Sequence, residues 1–117
     1  MTNPQSARIR ELNDHFRTTG CGGHIFITKR IVSLPNYMLL RIMDAVINFD
    51  AFTPDNDPHG EHDFGSFTIE GEKVFWKIDY YQPNIDGELD VDGEASEDPA
   101  NPEVTIRHLT IMLAEEY

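Results

Sequence analysis

The chain has 117 residues, of which 39% are hydrophobic and 12 aromatic, and 21 Asp and Glu against nine Lys and Arg give it a formal net charge of −12. One domain is expected, able to bury roughly 65% of its unfolded surface, and the apolar content excludes disorder along the whole length. No apolar run approaches the ~18 residues that cross a bilayer, residues 1–6 hold no apolar signal core, and the single cysteine, Cys21, has no partner for an internal disulfide, so a reducing, cytoplasmic setting is expected.

Ser6 is a candidate cap for a first helix running to about Thr18. Ile9, Leu12 and Phe16 fall on one face of it, with Arg8, Arg10 and Arg17 elsewhere on the wheel. Gly20, Gly22 and Gly23 around Cys21 end that helix, because glycine accepts the left-handed geometry of a C-terminal cap. Residues 24–28 are short, β-branched and aromatic and read as a strand. Pro35 suits the first turn of a second helix extending to about Phe49, with Leu39, Ile42, Met43, Val46 and Phe49 as its apolar stripe and Met38, Leu40 and Ile47 widening it. Residues 53–60 are dense in Pro, Asp, Asn and Gly and form a loop. Residues 64–69 and 73–81 read as a β-hairpin about Glu70 and Gly71, in which Val74, Trp76, Ile78 and Tyr80 share one face and Phe75, Lys77, Asp79 and Tyr81 the other. Residues 83–102 hold no apolar pattern and no basic residue, so a functional or disordered acidic loop is expected there. Residues 104–113 resume as a strand apolar on both faces, which places it centrally in the sheet. The order α-β-α-β-β-β predicts an α+β fold in one domain, residues 1–117: an antiparallel sheet of about four strands with two helices from the N-terminal half packed on one face.

Charge is unevenly distributed. Residues 1–49 hold six Lys/Arg and three Asp/Glu, net +3; residues 50–117 hold three and 18, net −15; together they give −12. The second half repels nucleic acid and anionic membrane, so no direct contact with either is expected, and it attracts cations or a basic surface on another protein.

Two constellations carry chemistry. Asp55, Asp57, His59, Glu61, His62 and Asp63 crowd one loop. Imidazole with carboxylate suits a transition metal, with His59, His62 and Asp63 as ligands, Asp79 adding a carboxylate from the neighbouring strand, and Glu61 as the base of a hydrolytic site. The spacing matches no zinc signature, and the same residues serve equally as turn caps. The second constellation is Asp86, Glu88, Asp90, Asp92 and Glu94, continued by Glu97 and Asp98. If the run is extended, alternate carboxylates stand about 6.6 Å apart on one edge, from a rise of ~3.3 Å per residue, close to two steps along one DNA strand, ~6.8 Å. Residues 88–93 also follow the opening of an EF-hand loop, but the twelfth position is Pro99, so calcium would bind weakly. Cys21 has only His24 near it in sequence and lacks the partners of a catalytic thiol, and His108 lies within the last strand.

Residues 50–65 and 74–81, with the closing residues 109–117, resemble the bacterial family catalogued as domain of unknown function 3768, and the segments Phe-Asp-Ala-Phe-Thr-Pro-Asp-Asn-Asp-Pro-His-Gly-Glu-His-Asp-Phe-Gly and Phe-Trp-Lys-Ile-Asp-Tyr-Tyr look like its signature. The resemblance runs from about Arg8 to Tyr117. It implies a small bacterial protein of the kind found on plasmids and other mobile elements, and it implies no activity. The acidic stretch before the last strand, and Gln82 where the family carries Asp, depart from the family pattern.

The leading expectation is a non-catalytic acidic interaction protein without a cofactor, in which Asp86, Glu88, Asp90, Asp92, Glu94, Glu97 and Asp98 engage the basic surface of a nucleic-acid-binding host factor. Its sharpest form is a nucleic-acid mimic from a mobile element that inhibits a host defence system of the anti-CRISPR or anti-restriction type. The alternative is a metal-dependent enzyme built on His59, His62 and Asp63, and a third is a homodimer subunit with a purely structural role.

Overall fold

The structure, a computed structural model, describes residues 4–83 and 94–117. The first helix, α1, spans Pro4–Thr19 and turns Ile9, Asn13, Phe16 and Arg17 inward. Gly20 ends it with φ +79° and donates its N–H to Phe16 O at 2.7 Å, the left-handed closure expected of glycine there. Strand β1 spans Gly23–Ile27. A single helical turn that the sequence pattern does not announce, α2, covers Lys29–Val32 and buries Ile31. Helix α3 spans Asn36–Ile47, with Pro35 just before its first residue, and buries Met38, Ile42 and Val46. The stripe is narrower than expected: Leu40 is 72% exposed, and Ile47 is exposed too.

Strands β2 (Phe64–Ile69) and β3 (Glu72–Tyr81) form the expected hairpin. Both central residues of its turn have positive φ, +47° at Glu70 and +85° at Gly71, the backbone that matches the right-handed twist of paired strands. Strand β4 spans Ile106–Leu113, and a 3₁₀ turn, Ala114–Glu116, follows it. The sheet order is β1-β4-β3-β2, so β4 is central as its two apolar faces require.

The sheet is mixed rather than wholly antiparallel. β3 runs antiparallel to β2 and β4, but β1 pairs parallel with β4, from Gly23 opposite Arg107 to Ile27 opposite Ile111. Between the two, the chain passes through α2, α3 and the hairpin, the kind of long crossover that parallel neighbours need. Side-chain alternation fixes which face a residue takes, not the direction of its strand.

All three helices pack on one face of the sheet. Phe16, Ile31, Ile42 and Val46 meet Val74, Trp76 and Ile78 of β3 and Leu109, Ile111 and Leu113 of β4. Trp76 lies at the centre, fully buried, and its cross-strand partner is Gly65, where any side chain would collide with the indole ring. The opposite face carries two ring clusters. Phe64, Phe75 and Tyr117 pack edge to face, and His24, Phe26 and Tyr81 surround His108. None of the described helices is long and apolar enough to cross a membrane.

Candidate functional site

Turn chemistry builds the loop between α3 and β2. Asn56 Oδ1 accepts the Thr53 N–H at 2.8 Å, Asn56 Nδ2 donates to Ala51 O at 2.9 Å, and Asp57 N donates to Thr53 O at 2.8 Å, each satisfying a backbone group that a loop would otherwise leave to water. Asp57 is buried, and its Oδ1 accepts the His62 N–H at 3.2 Å. His62 has φ +55°, a left-handed conformation that a non-glycine residue holds only when its surroundings over-determine it. They do. The imidazole lies flat on the Phe52 ring, centroids 3.7 Å apart and 3° from parallel, and Nδ1 is 2.9 Å from Asp14 Oδ1 on α1. Nε2 stands 3.7 Å from Asp57 Oδ2, beyond hydrogen-bond reach.

Below this pair, α1 pins the loop to the core. Arg17 is buried. It donates to Val46 O at 2.8 Å and Ile47 O at 3.1 Å and sits 3.2 Å from Asp14, so it satisfies the last carbonyls of α3 with a charge matched to the negative end of the helix dipole. Its guanidinium carbon lies 5.3 Å from the Trp76 ring centroid. Asn13, 0% exposed, is a hub. Nδ2 donates to Glu61 O at 3.0 Å and Tyr80 Oη at 2.8 Å, and Oδ1 accepts Arg107 Nε at 2.7 Å. Tyr80 Oη in turn donates to Glu61 Oε1 at 3.2 Å. Burial pushes the Tyr80 phenol well above its ordinary value of 10.0 and holds the Arg107 guanidinium below its ordinary value, because both charge changes are made away from water.

An open cleft of about 510 Å³ lies between α1 and this loop, lined by Arg10, Phe52, Asp57, His59, Gly60 and His62 among others. His59 and His62 therefore border one space. The other residues expected with them do not join. Asp63 follows the loop, its backbone oxygen accepting the Ile78 N–H at 2.8 Å and its carboxyl pushed up by burial and then by Glu61. Asp79 alternates with Tyr80 onto the far face of the sheet and pairs with Lys77 at 3.2 Å. The Glu61 carboxylate accepts the Tyr80 hydroxyl. Among the described residues, no group of three or more His, Cys, Asp and Glu side chains is placed to hold a metal ion. Imidazole density in the sequence thus gathers two histidines at a cleft that Asp57 also lines, while the pleat carries Asp79 to the other face of the sheet and Tyr80 engages Glu61.

A second cleft, about 520 Å³, is lined by Gln82, Pro83, Glu97, Asp98, Glu103 and Val104. Asp86, Glu88, Asp90 and Asp92 lie outside the described residues; Glu94, Glu97 and Asp98 lie within them. From Glu94 the chain is held along the end of the sheet and is not free. Tyr81 bridges Ala95, Gln82 N donates to Glu94 O at 2.8 Å, and Ser96 N donates to Tyr80 O at 3.0 Å. The Ser96 and Thr105 hydroxyls stand 2.6 Å apart, Thr105 Oγ1 donates to Asp98 O at 2.8 Å, and Arg107 donates to Pro99 O. These bonds present Glu97, Asp98 and Glu103 on a fixed frame.

Sequence reasoning missed Asn13, Asp14, Arg17, Phe52, Tyr80 and Arg107. Asn13 and Arg17 stand with Ile9 and Phe16 on the buried stripe of α1 at helical spacing, so two polar residues on an apolar face were the available signal.

A model of the family described as Protein of unknown function (DUF3768) matches residues 27–116. No curated protein and no solved structure matches.

Proposed function

The chain belongs to the DUF3768 family, whose description assigns no function, and we propose that it acts as a small acidic interaction protein that engages a basic surface of another protein. The observation that carries this reading is the second cleft, where Glu97, Asp98 and Glu103 line one space on a hydrogen-bonded frame. A backbone held in advance reduces the ordering cost when Lys or Arg side chains dock among these carboxylates, and a net charge of −15 over residues 50–117 speeds the encounter with a basic partner and disfavours acidic ones. In its sharpest form the partner is a nucleic-acid-binding host factor, and the protein is a nucleic-acid mimic from a mobile element that inhibits a defence system. The acidic run at Asp86, Glu88, Asp90, Asp92 and Glu94 directly precedes these residues in sequence.

The test is capture of proteins from a bacterial lysate at low salt by the native chain and by the triple variant Glu97→Gln, Asp98→Asn, Glu103→Gln. Basic DNA-binding proteins are expected on the native chain, displaced by added duplex DNA and strongly reduced on the variant. Capture that survives charge neutralisation unchanged, or that DNA does not displace, sinks the mimic.

The alternative, a metal-dependent enzyme at His59, His62 and Asp63 with Glu61 as base, has less support. Only the two histidines border the same cleft, and the Glu61 carboxylate accepts the Tyr80 hydroxyl. Elemental analysis of protein purified without chelator separates the two readings. A transition metal near one ion per chain would favour the enzyme.

A further inference from the structure

We propose that the free edge of β2 is an interface between two copies of this chain, which pair there antiparallel about a two-fold axis at Ser66. β2 is an outer strand of the sheet and is laddered to β3 on one side. The hairpin closes on Ile69 and Glu72, which flank its two-residue turn, and past the other end of β2 the Ile78 N–H donates to Asp63 O at 2.8 Å. Bonded pairs alternate along an antiparallel ladder, so residues 63, 65, 67 and 69 spend their backbone groups on β3. Phe64, Ser66 and Thr68 turn theirs outward, and among the described residues no backbone group outside the ladder meets them. An open edge is commonly guarded by a charge, a proline, a bulge or brevity. β2 has six residues, Phe-Gly-Ser-Phe-Thr-Ile, in unbroken register, with none of these devices. The other edge, β1, is shorter and leads through Thr28 into Lys29 and Arg30, cations of the kind that discourage such pairing.

Charge, register and shape together select a second copy as the occupant. The chain carries a net −12, yet residues 64–69 carry no charge, and the nearest acids stand at the two ends, Asp63 and Glu70. With the axis at Ser66, Asp63 of one copy is set against Ile69 of the other and Glu70 against His62, so neither acid meets an acid. A basic partner finds no carboxylate along this edge, whereas Glu97, Asp98 and Glu103 offer it three elsewhere. The same alignment pairs every outward residue, Phe64 with Thr68 and Ser66 with its own copy, for about six backbone hydrogen bonds at two per bonded pair. A shift of the axis by one residue in either direction would match Thr68 with His62 or Phe64 with Glu70. Those two residues have φ of +55° and +47°, outside the extended range that a ladder requires. The ends of β2 thus fix the register. On the helix-covered face, Phe67 of one copy stands opposite Gly65 of the other, which has no side chain to meet it. The shared ladder is about 20 Å long at ~3.4 Å per residue. That is narrower than an interface burying ~800 Å² per partner, so association in the micromolar range is expected.

The interface is tested on the full chain by sedimentation velocity from about 1 μM to about 500 μM, at about 0.15 M salt, where a Debye length of about 8 Å limits the repulsion between two acidic copies. The mass should rise from 13.4 kDa to a plateau at twice that value. Over the same range, amide hydrogen exchange followed by NMR should show Phe64, Ser66 and Thr68 gaining protection. Ser66 is exposed, and its side chain shares the face of Phe75, away from the helices. Ser66→Lys should therefore melt as the native chain does when dilute. It sets two like charges against each other at the axis and should weaken association at least about 10-fold, while Glu97→Gln associates as the native chain does. A chain that stays monomeric throughout overturns the proposal and leaves the edge to a strand of another protein or to water. It is equally overturned if the mass climbs past two copies without a plateau, if a dimer forms without protecting those three amides, or if Ser66→Lys associates as the native chain does.

Discussion

Replacing Asn13 by alanine removes a side chain that joins α1 to the loop, to β3 and to β4 at once. Its amide makes three hydrogen bonds, to Glu61 O, Tyr80 Oη and Arg107 Nε, at zero exposure. Tyr80 Oη keeps Glu61 Oε1 as an acceptor, but the Glu61 carbonyl and Arg107 Nε are left enclosed without their partner. Each stranded group costs about 1–3 kcal/mol, with the guanidinium toward the upper end, and truncation leaves a small void besides. A loss of roughly 3–5 kcal/mol follows, out of the ~6–18 kcal/mol expected for a domain of this length. With a urea m-value of about 1–3 kcal/mol/M, the midpoint should fall by about 2 M while the slope stays constant. The assay is urea unfolding at neutral pH followed by Trp76 fluorescence, with Asn13→Leu alongside to restore volume without the bonds. Both variants should be destabilised, because the stranded groups are the same in each. If the loss in Asn13→Ala is below about 1 kcal/mol, or Asn13→Leu restores the native midpoint, packing and not the polar hub joins these elements.

Three further outcomes follow from the same geometry. Gly65→Ala should cost about 1–3 kcal/mol or more by forcing a methyl group against the Trp76 indole, read as a lower melting temperature with altered near-ultraviolet dichroism of that single tryptophan. Arg17→Met should cost about 2–4 kcal/mol by uncapping the carbonyls of Val46 and Ile47 and leaving Asp14 with His62 alone, with early loss of hydrogen-exchange protection at the end of α3 as the marker. His108 is held below its ordinary 6.5 by burial and then by neighbouring His24. Its folded state resists protonation, so its contribution is complete above about pH 6.5 and is lost as pH falls through the depressed folded value. His108→Gln should therefore flatten the fall in urea midpoint between about pH 7.5 and about pH 5.5, and an unchanged slope would assign that fall to other groups.

The hairpin was legible because period-two alternation over Val74, Trp76, Ile78 and Tyr80 ends at Glu70 and Gly71, where both φ values are positive. The central strand was legible because β4 is apolar on both faces. The direction of β1 was not, since five residues alternate identically whichever way they run, and a parallel partner 84 residues away at Gly23 and Arg107 leaves no local mark. Helix α2 was not, because four residues with no side-chain cap at Thr28 offer no period to detect. At the candidate site, the histidines and the turn residues were visible, whereas their partners come from α1, 48 residues earlier in the case of Asp14 and His62.

The same limit governs the charge. Eighteen acids after residue 49 determine what the molecule as a whole repels, within about one Debye length of its surface. They do not fix the sign of any one cleft. That sign depends on whether a carboxylate is already satisfied within the fold. Asp57 accepts the His62 backbone N–H with one oxygen and stands 3.7 Å from His62 Nε2 with the other, and Asp14 in α1 meets Arg17 and the His62 ring, so both carboxylates are already paired. Glu97 and Glu103 form no such bonds through their carboxylates among the described residues and line an acidic cleft at the other end of the chain. One strongly acidic molecule thereby presents one cleft whose carboxylate is paired within the fold and another whose carboxylates are not. Neutralising Glu97, Asp98 and Glu103 should reduce capture of a basic partner, and Arg10→Gln, at the other cleft, should leave that capture unchanged. Reduced capture in Arg10→Gln as well would mean that the two clefts are coupled through the hydrogen bonds that join Asn13, Tyr80 and Arg107.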